Sequence, residues 1–151
     1  MFLWRPKAFG YNGLIVHPQI WWIPTYVELL KGKSSRTVLI GSGVSSTNVT
    51  DAMINITSDS SCEGFAVGGD FCGSKTNYKI YFAVEFDRSS ISGGTWMNND
   101  LFEGIKKSFG KNSGAYFSFD TTKNSEVTYR IAISYVSIEN AKANLMASKI
   151  F

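Results

Sequence analysis

Of the side chains in this sequence that could do chemistry, the twelve acidic residues come first. Hydrolysis by paired carboxyl groups needs one held protonated and the other ionised, flanking the bond that breaks. The candidates in the well-patterned part of the chain are Glu85, Asp87, Asp120 and Glu126. All four fall at outward strand positions or in turns, where water keeps carboxylates ionised, so no catalytic residue is assigned. The lone histidine, His17, stands beside Pro18 without a partner motif. Neither a triad nor a two-histidine metal site can be built from it. Cys62 and Cys72 are too few to close a tetrahedral metal site, and no metal ligands are assigned. With Gly64, Gly68, Gly69 and Gly73 around them, they read as a short-loop disulfide in an oxidising compartment or as two buried thiols. The run Gly41-Ser42-Gly43-Val44-Ser45-Ser46 lacks the third glycine and the following helix of a dinucleotide loop, and reads as a turn.

Two further features could touch a ligand. Trp96 follows Gly93-Gly94-Thr95 in what reads as a glycine loop. A tryptophan there can stack on a sugar ring through its apolar face, cap the core, or face a neighbouring domain. Asn48-Val49-Thr50 and Asn55-Ile56-Thr57 are glycosylation sequons, which makes Asn48 and Asn55 candidate acceptors in a secreted chain. Chance alone gives about two sequons at this composition, so their number carries no weight.

The elements that must position these residues are mostly strands. Thr37-Val38-Leu39-Ile40 is a short one, and Asp51 to Ser58 is a second, with Ala52, Ile54 and Ile56 on one face. Cys62 to Val67 reads as a third. Tyr78 to Phe86 alternates most clearly, with Tyr78, Ile80, Phe82, Val84 and Phe86 inward. Ala115-Phe117-Phe119 and Val127 to Tyr135 complete the set, the latter with Val127, Tyr129, Ile131, Ile133 and Tyr135 on the core face. Turns rich in Gly, Ser, Asn and Asp fall at 87–94, 110–114 and 120–125. Asn98 to Phe109 has helix-like spacing at Leu101, Phe102, Ile105 and Phe109, and reads as a short helix or an apolar surface loop. At the end, Ser137 sits where an N-cap would, with Ile138, Ala141 and Leu145 at helical spacing behind it. The fold expected is all-β, an antiparallel β-sandwich with a short C-terminal helix.

Composition narrows the partners. A net charge of +3, with Lys106-Lys107 as the one sharp basic pair, is no nucleic-acid footprint. His17, Pro18, Gln19, Pro24 and Glu28 interrupt the apolar stretch from Gly13 to Leu30, short of the ~20 apolar residues of a membrane span. The start does not read as a signal peptide, which fits either a cytoplasmic chain or a piece of a longer secreted parent.

Four pieces in order carry a family resemblance. They are Tyr78-Lys79-Ile80-Tyr81-Phe82-Ala83-Val84-Glu85-Phe86-Asp87, then Gly94-Thr95-Trp96, then Gly114-Ala115-Tyr116-Phe117-Ser118-Phe119-Asp120, and the junction Ile131 to Leu145. Together they resemble the N-terminal β-sandwich domain of glycoside hydrolase family 92, the calcium-dependent α-mannosidases. The resemblance implies a supersandwich-like, carbohydrate-binding type of domain over residues 37–145, with 1–36 unplaced and 146–151 the start of a linker. It also implies that acid, base and calcium ligands lie chiefly on a helical-barrel domain that follows the sandwich. On that reading the chain is a carbohydrate-associated domain, inactive alone and needing no cofactor of its own. Its partners would be mannose-containing glycans and the missing barrel domain. The alternative is a structural or protein-interaction sandwich, or a gene fragment, without sugar binding.

Overall fold

The computed structural model describes residues 15–16, 26–31, 35–41, 48–69 and 76–148. Two antiparallel sheets face each other. The first has six strands in the order β1 (Ile15–Val16), β2 (Tyr26–Lys31), β3 (Ser35–Gly41), β10 (Ser113–Asp120), β7 (Ser92–Met97), β8 (Asp100–Glu103). The second has five, in the order β11 (Tyr129–Ser134), β6 (Asn77–Phe86), β5 (Ser61–Gly69), β4 (Asn48–Ser58), β9 (Lys107–Phe109). The expected all-β sandwich is the fold observed, and each of the six expected strands is present. Upstream of Thr37 the sheet also holds β2, which pairs with β3 from Tyr26↔Gly41 to Lys31↔Arg36.

Alternation builds the core as period-2 chemistry requires. Ile54 and Ile56 from β4, Phe82, Val84 and Phe86 from β6, and Ala115, Phe117 and Phe119 from β10 meet between the sheets. Phe86 joins the layers, its ring centroid 4.9 Å from those of both Phe117 and Phe119. Gly64 on β5 lies under this packing, because a Cβ there would fall 2.7 Å from the Phe82 ring and 2.1 Å from the Met53 carbonyl oxygen.

The segment from Asn98 to Phe109 is neither helix nor loop. Met97 pairs with Asp100 across a two-residue turn, and Asn98 holds the left-handed φ of 56° that asparagine tolerates. The chain then runs through β8 and crosses to the other sheet as β9, using Gly104 at φ 72°. Val127 is buried as expected but precedes the strand, and Tyr135 lies past its end, 67% exposed rather than inward.

The C-terminal helix α1 (Ile138–Ala147) forms as the capping signal predicts. The Ser137 side chain accepts a hydrogen bond from the Asn140 N–H at 3.1 Å. Ala141 and Leu145 seat the helix on Ala83 and Ala132, on the outer face of the five-stranded sheet. Lys142 reaches Glu63 at 2.9 Å, and the Asn144 amide donates to the Ile133 carbonyl.

Candidate functional site

Among the described residues the acidic side chains form no group that could hold a metal ion, and three of the four candidates are held by neighbours. Glu85 forms an ion pair with Arg130, its cross-strand neighbour in β11. Asp87 lies 3.6 Å from Arg88. Asp120 accepts from the backbone N–H and the hydroxyl of Thr122, at 2.8 and 2.7 Å. Those two bonds, the backbone one first, hold its carboxyl below the usual range. The Glu139 carboxyl is also lowered, by its own backbone N–H and by Ser137. A general acid needs the opposite displacement. Glu126 is exposed in the turn before β11. Among the described residues, no group of three His, Cys, Asp or Glu could hold a metal ion.

Arg130 departs from the sequence reading. It occupies an outward position but is 6% exposed. A buried guanidinium requires an anion, and Glu85 supplies it.

Of the two cysteines, Cys62 alone lies among the described residues. Cys62 is a free thiol, 1% exposed in the inter-sheet core, and burial, with the nearby Glu63 charge, pushes its pKa up. Cys72 lies outside the described residues, as do His17 and the run after Gly41. Chain reach still bounds Cys72. Cys62 and Gly69 stand at opposite ends of β5, about 23 Å apart at ~3.3 Å per residue. The three residues onward to Cys72 span at most about 11 Å, whereas a disulfide requires Cα atoms within about 7 Å. Of the glycines that would permit a reversal, Gly64, Gly68 and Gly69 lie within β5.

Asn55 lies on the outer face of the same sheet, half-buried, and its amide donates to Glu63 at 3.1 Å. Asn48 opens β4 and its side chain is outside the described set.

Trp96 stands on β7 rather than in a loop. It pairs with Gly114 on β10, and its six-membered ring crosses the place a side chain would take there: Cζ2 and Cη2 lie 2.1 and 2.3 Å from an ideal Gly114 Cβ. The neighbouring pair is its mirror. Tyr116 on β10 stands opposite Gly94 on β7, and its Cε1 and Oη lie 2.9 Å from an ideal Gly94 Cβ. Each strand supplies one ring and one glycine, so each ring fills the gap left by the other strand. Both pairs occupy the outer face of the six-stranded sheet, since Thr95 and Ala115 between them point into the core. On the edge strand β8, Leu101 sits opposite Trp96 and Glu103 opposite Gly94. Burial, and then the Glu103 charge, raise the Tyr116 phenol pKa.

Two sheets in this order, closed by a helix on one outer face, define a β-sandwich domain with its polar chemistry in turns and on faces. Residues 27–134 match the pattern of the glycosyl hydrolase family 92 N-terminal domain. That is more than half of the chain, and the chain belongs to this family. No protein with a curated description matches it by sequence. Among solved structures, the family GH92 α-mannosidase BT3965 from Bacteroides thetaiotaomicron is similar at 20% identity and a TM-score of 0.60, over 84% of this chain. The GH92 family glycosyl hydrolase CcMan5 is similar at 16% identity and 0.65, over 82%. The family GH92 inverting mannosidase BT2199 from B. thetaiotaomicron VPI-5482 is similar at 20% and 0.57, over 83%. At these identities the likeness is one of fold. This chain spans only 18 to 20% of the length of those three.

Proposed function

We propose that this chain is the carbohydrate-associated N-terminal domain of an α-mannosidase-like glycoside hydrolase and has no hydrolytic activity alone. The observation that carries the reading is the state of its carboxylates within a family-defined fold. Glu85, Asp87 and Asp120 are engaged by Arg130, Arg88 and Thr122. What remains for such a domain is to hold glycan or to support a neighbouring catalytic domain. Calcium belongs, on this reading, to that neighbour.

A helical-barrel neighbour would seat on exposed apolar side chains around α1. Tyr135, Val136 and Met146, around and on α1, are 67%, 70% and 63% exposed. The test is an α-mannoside hydrolysis assay with and without calcium, beside binding to mannan. No turnover, together with retention by mannan, is expected. Turnover abolished by Glu85→Gln or Asp120→Asn would place a catalytic carboxylate on the sandwich and overturn the reading.

A further inference from the structure

We propose that the sugar-contacting surface is the outer face of the six-stranded sheet at its β7–β8 edge, with Trp96 as stacking floor and Glu103 as hydroxyl acceptor. The inference rests on the carbohydrate reading above and specifies its site. Three observations place the parts. Trp96 is half-buried, its ring fixed across Gly114. Leu101, directly opposite on β8 and 66% exposed, extends the apolar floor toward the sheet edge. Glu103 lies two residues further along the same face, exposed, beside the Tyr116 ring that crosses Gly94.

The chemistry is that of a pyranose. Its C–H face is apolar and lies flat on an indole, while its rim of hydroxyls needs charged or polar acceptors. Trp96 and Glu103 are diagonal neighbours across β7 and β8, about 7–8 Å apart, so a sugar ring lying on the indole can turn a hydroxyl toward the carboxylate. A floor set on strands rather than on a loop is also held in place before the ligand arrives, which limits the ordering entropy of binding.

The experiment is affinity electrophoresis and titration calorimetry of the full chain with yeast mannan and α-linked mannotriose. Wild type is compared with Trp96→Ala, Trp96→Phe, Glu103→Gln and, on the opposite sheet, Phe65→Ala. Wild type and Phe65→Ala should bind alike. Trp96→Ala should weaken binding by about tenfold or more, Glu103→Gln by about fivefold, and Trp96→Phe by less than Trp96→Ala. Glu103 is exposed on a β8 edge strand, so Glu103→Gln decides the matter if Trp96→Ala does not fold. Wild-type binding that survives both Trp96→Ala and Glu103→Gln within twofold would overturn this site and leave the carbohydrate reading standing. No binding by folded wild type would overturn both.

Discussion

Removing the Glu85 carboxylate should destabilise the domain, because Arg130 is, among the described residues, the charged group that the fold buries. The magnitude follows from the asymmetry of the pair: the Arg130 side chain is 7% exposed and that of Glu85 42%. Deleting one partner of a fully buried pair costs about 3–5 kcal/mol, and an exposed pair is worth under about 1 kcal/mol. A bond from a buried guanidinium to a half-screened carboxylate falls between these, at about 1.5–3 kcal/mol. With a urea slope of about 2 kcal/mol per molar, Glu85→Ala should lower the unfolding midpoint by roughly 1 M. Glu85→Gln, which keeps an acceptor and loses the charge, should lose less. Arg130→Met alone should be milder than Glu85→Ala, since it leaves only a solvated carboxylate behind. A double-mutant cycle then isolates the pair. Midpoints for Glu85→Ala within about 0.2 M of wild type would refute the argument, and Glu85 would be free for another role.

Three more outcomes follow from the same geometry. Gly114→Val should destabilise by about 1–3 kcal/mol and shift an indole resonance that Trp96→Phe removes, since the new side chain meets the ring and the Ile40 carbonyl; an unchanged melting temperature would contradict it. Burial raises the Tyr129 pKa to about 12 from 10.0, so its contribution is complete below pH 10 and is lost as pH rises to about 12. Linkage puts the ceiling at about 2.7 kcal/mol. Denaturation midpoints across that window should fall for wild type and fall less for Tyr129→Phe, and parallel profiles would sink the assignment. Protein made under oxidising conditions should show no two-hydrogen mass deficit, with Cys62 resisting alkylation until unfolding; a deficit localised to the Cys62–Cys72 peptide would overturn the chain-reach argument.

The strands that alternate were readable because their alternation is the core. Phe82, Val84 and Phe86 recur at period 2 and are all at most 3% exposed. Ser137 announced α1 through a single hydroxyl-to-amide bond. β7, β8 and β9 were hidden for a physical reason. Ser92-Gly93-Gly94 looks like a turn because glycine usually frees the backbone, yet Gly94 is there to admit Tyr116. Leu101 and Phe109 fell at helical spacing only by coincidence. One faces outward from the six-stranded sheet and the other belongs to the five-stranded sheet. The Asn98-Asn99 pair was the better signal, a two-residue hairpin turn between short runs.

The site was less legible than the fold, and the reason lies in what alternation encodes. Period 2 assigns a residue to a face but does not say whether water or another element covers it. Arg130 and Trp96 are both outward by that rule. Arg130 is buried with Glu85 as counter-ion, which removes from consideration a carboxylate that sequence alone left available. Trp96 is fixed across Gly114, which turns a loop tryptophan into part of a sheet surface. A sequence signal for the second case does exist. Gly94-Thr95-Trp96 and Gly114-Ala115-Tyr116 repeat the order glycine, inward residue, aromatic. Paired antiparallel, that order puts each ring opposite the other strand's glycine on a common face. Two such tripeptides, separated in sequence by β8 and by β9 of the other sheet, therefore match the register of β7 on β10, as well as the face that carries both rings.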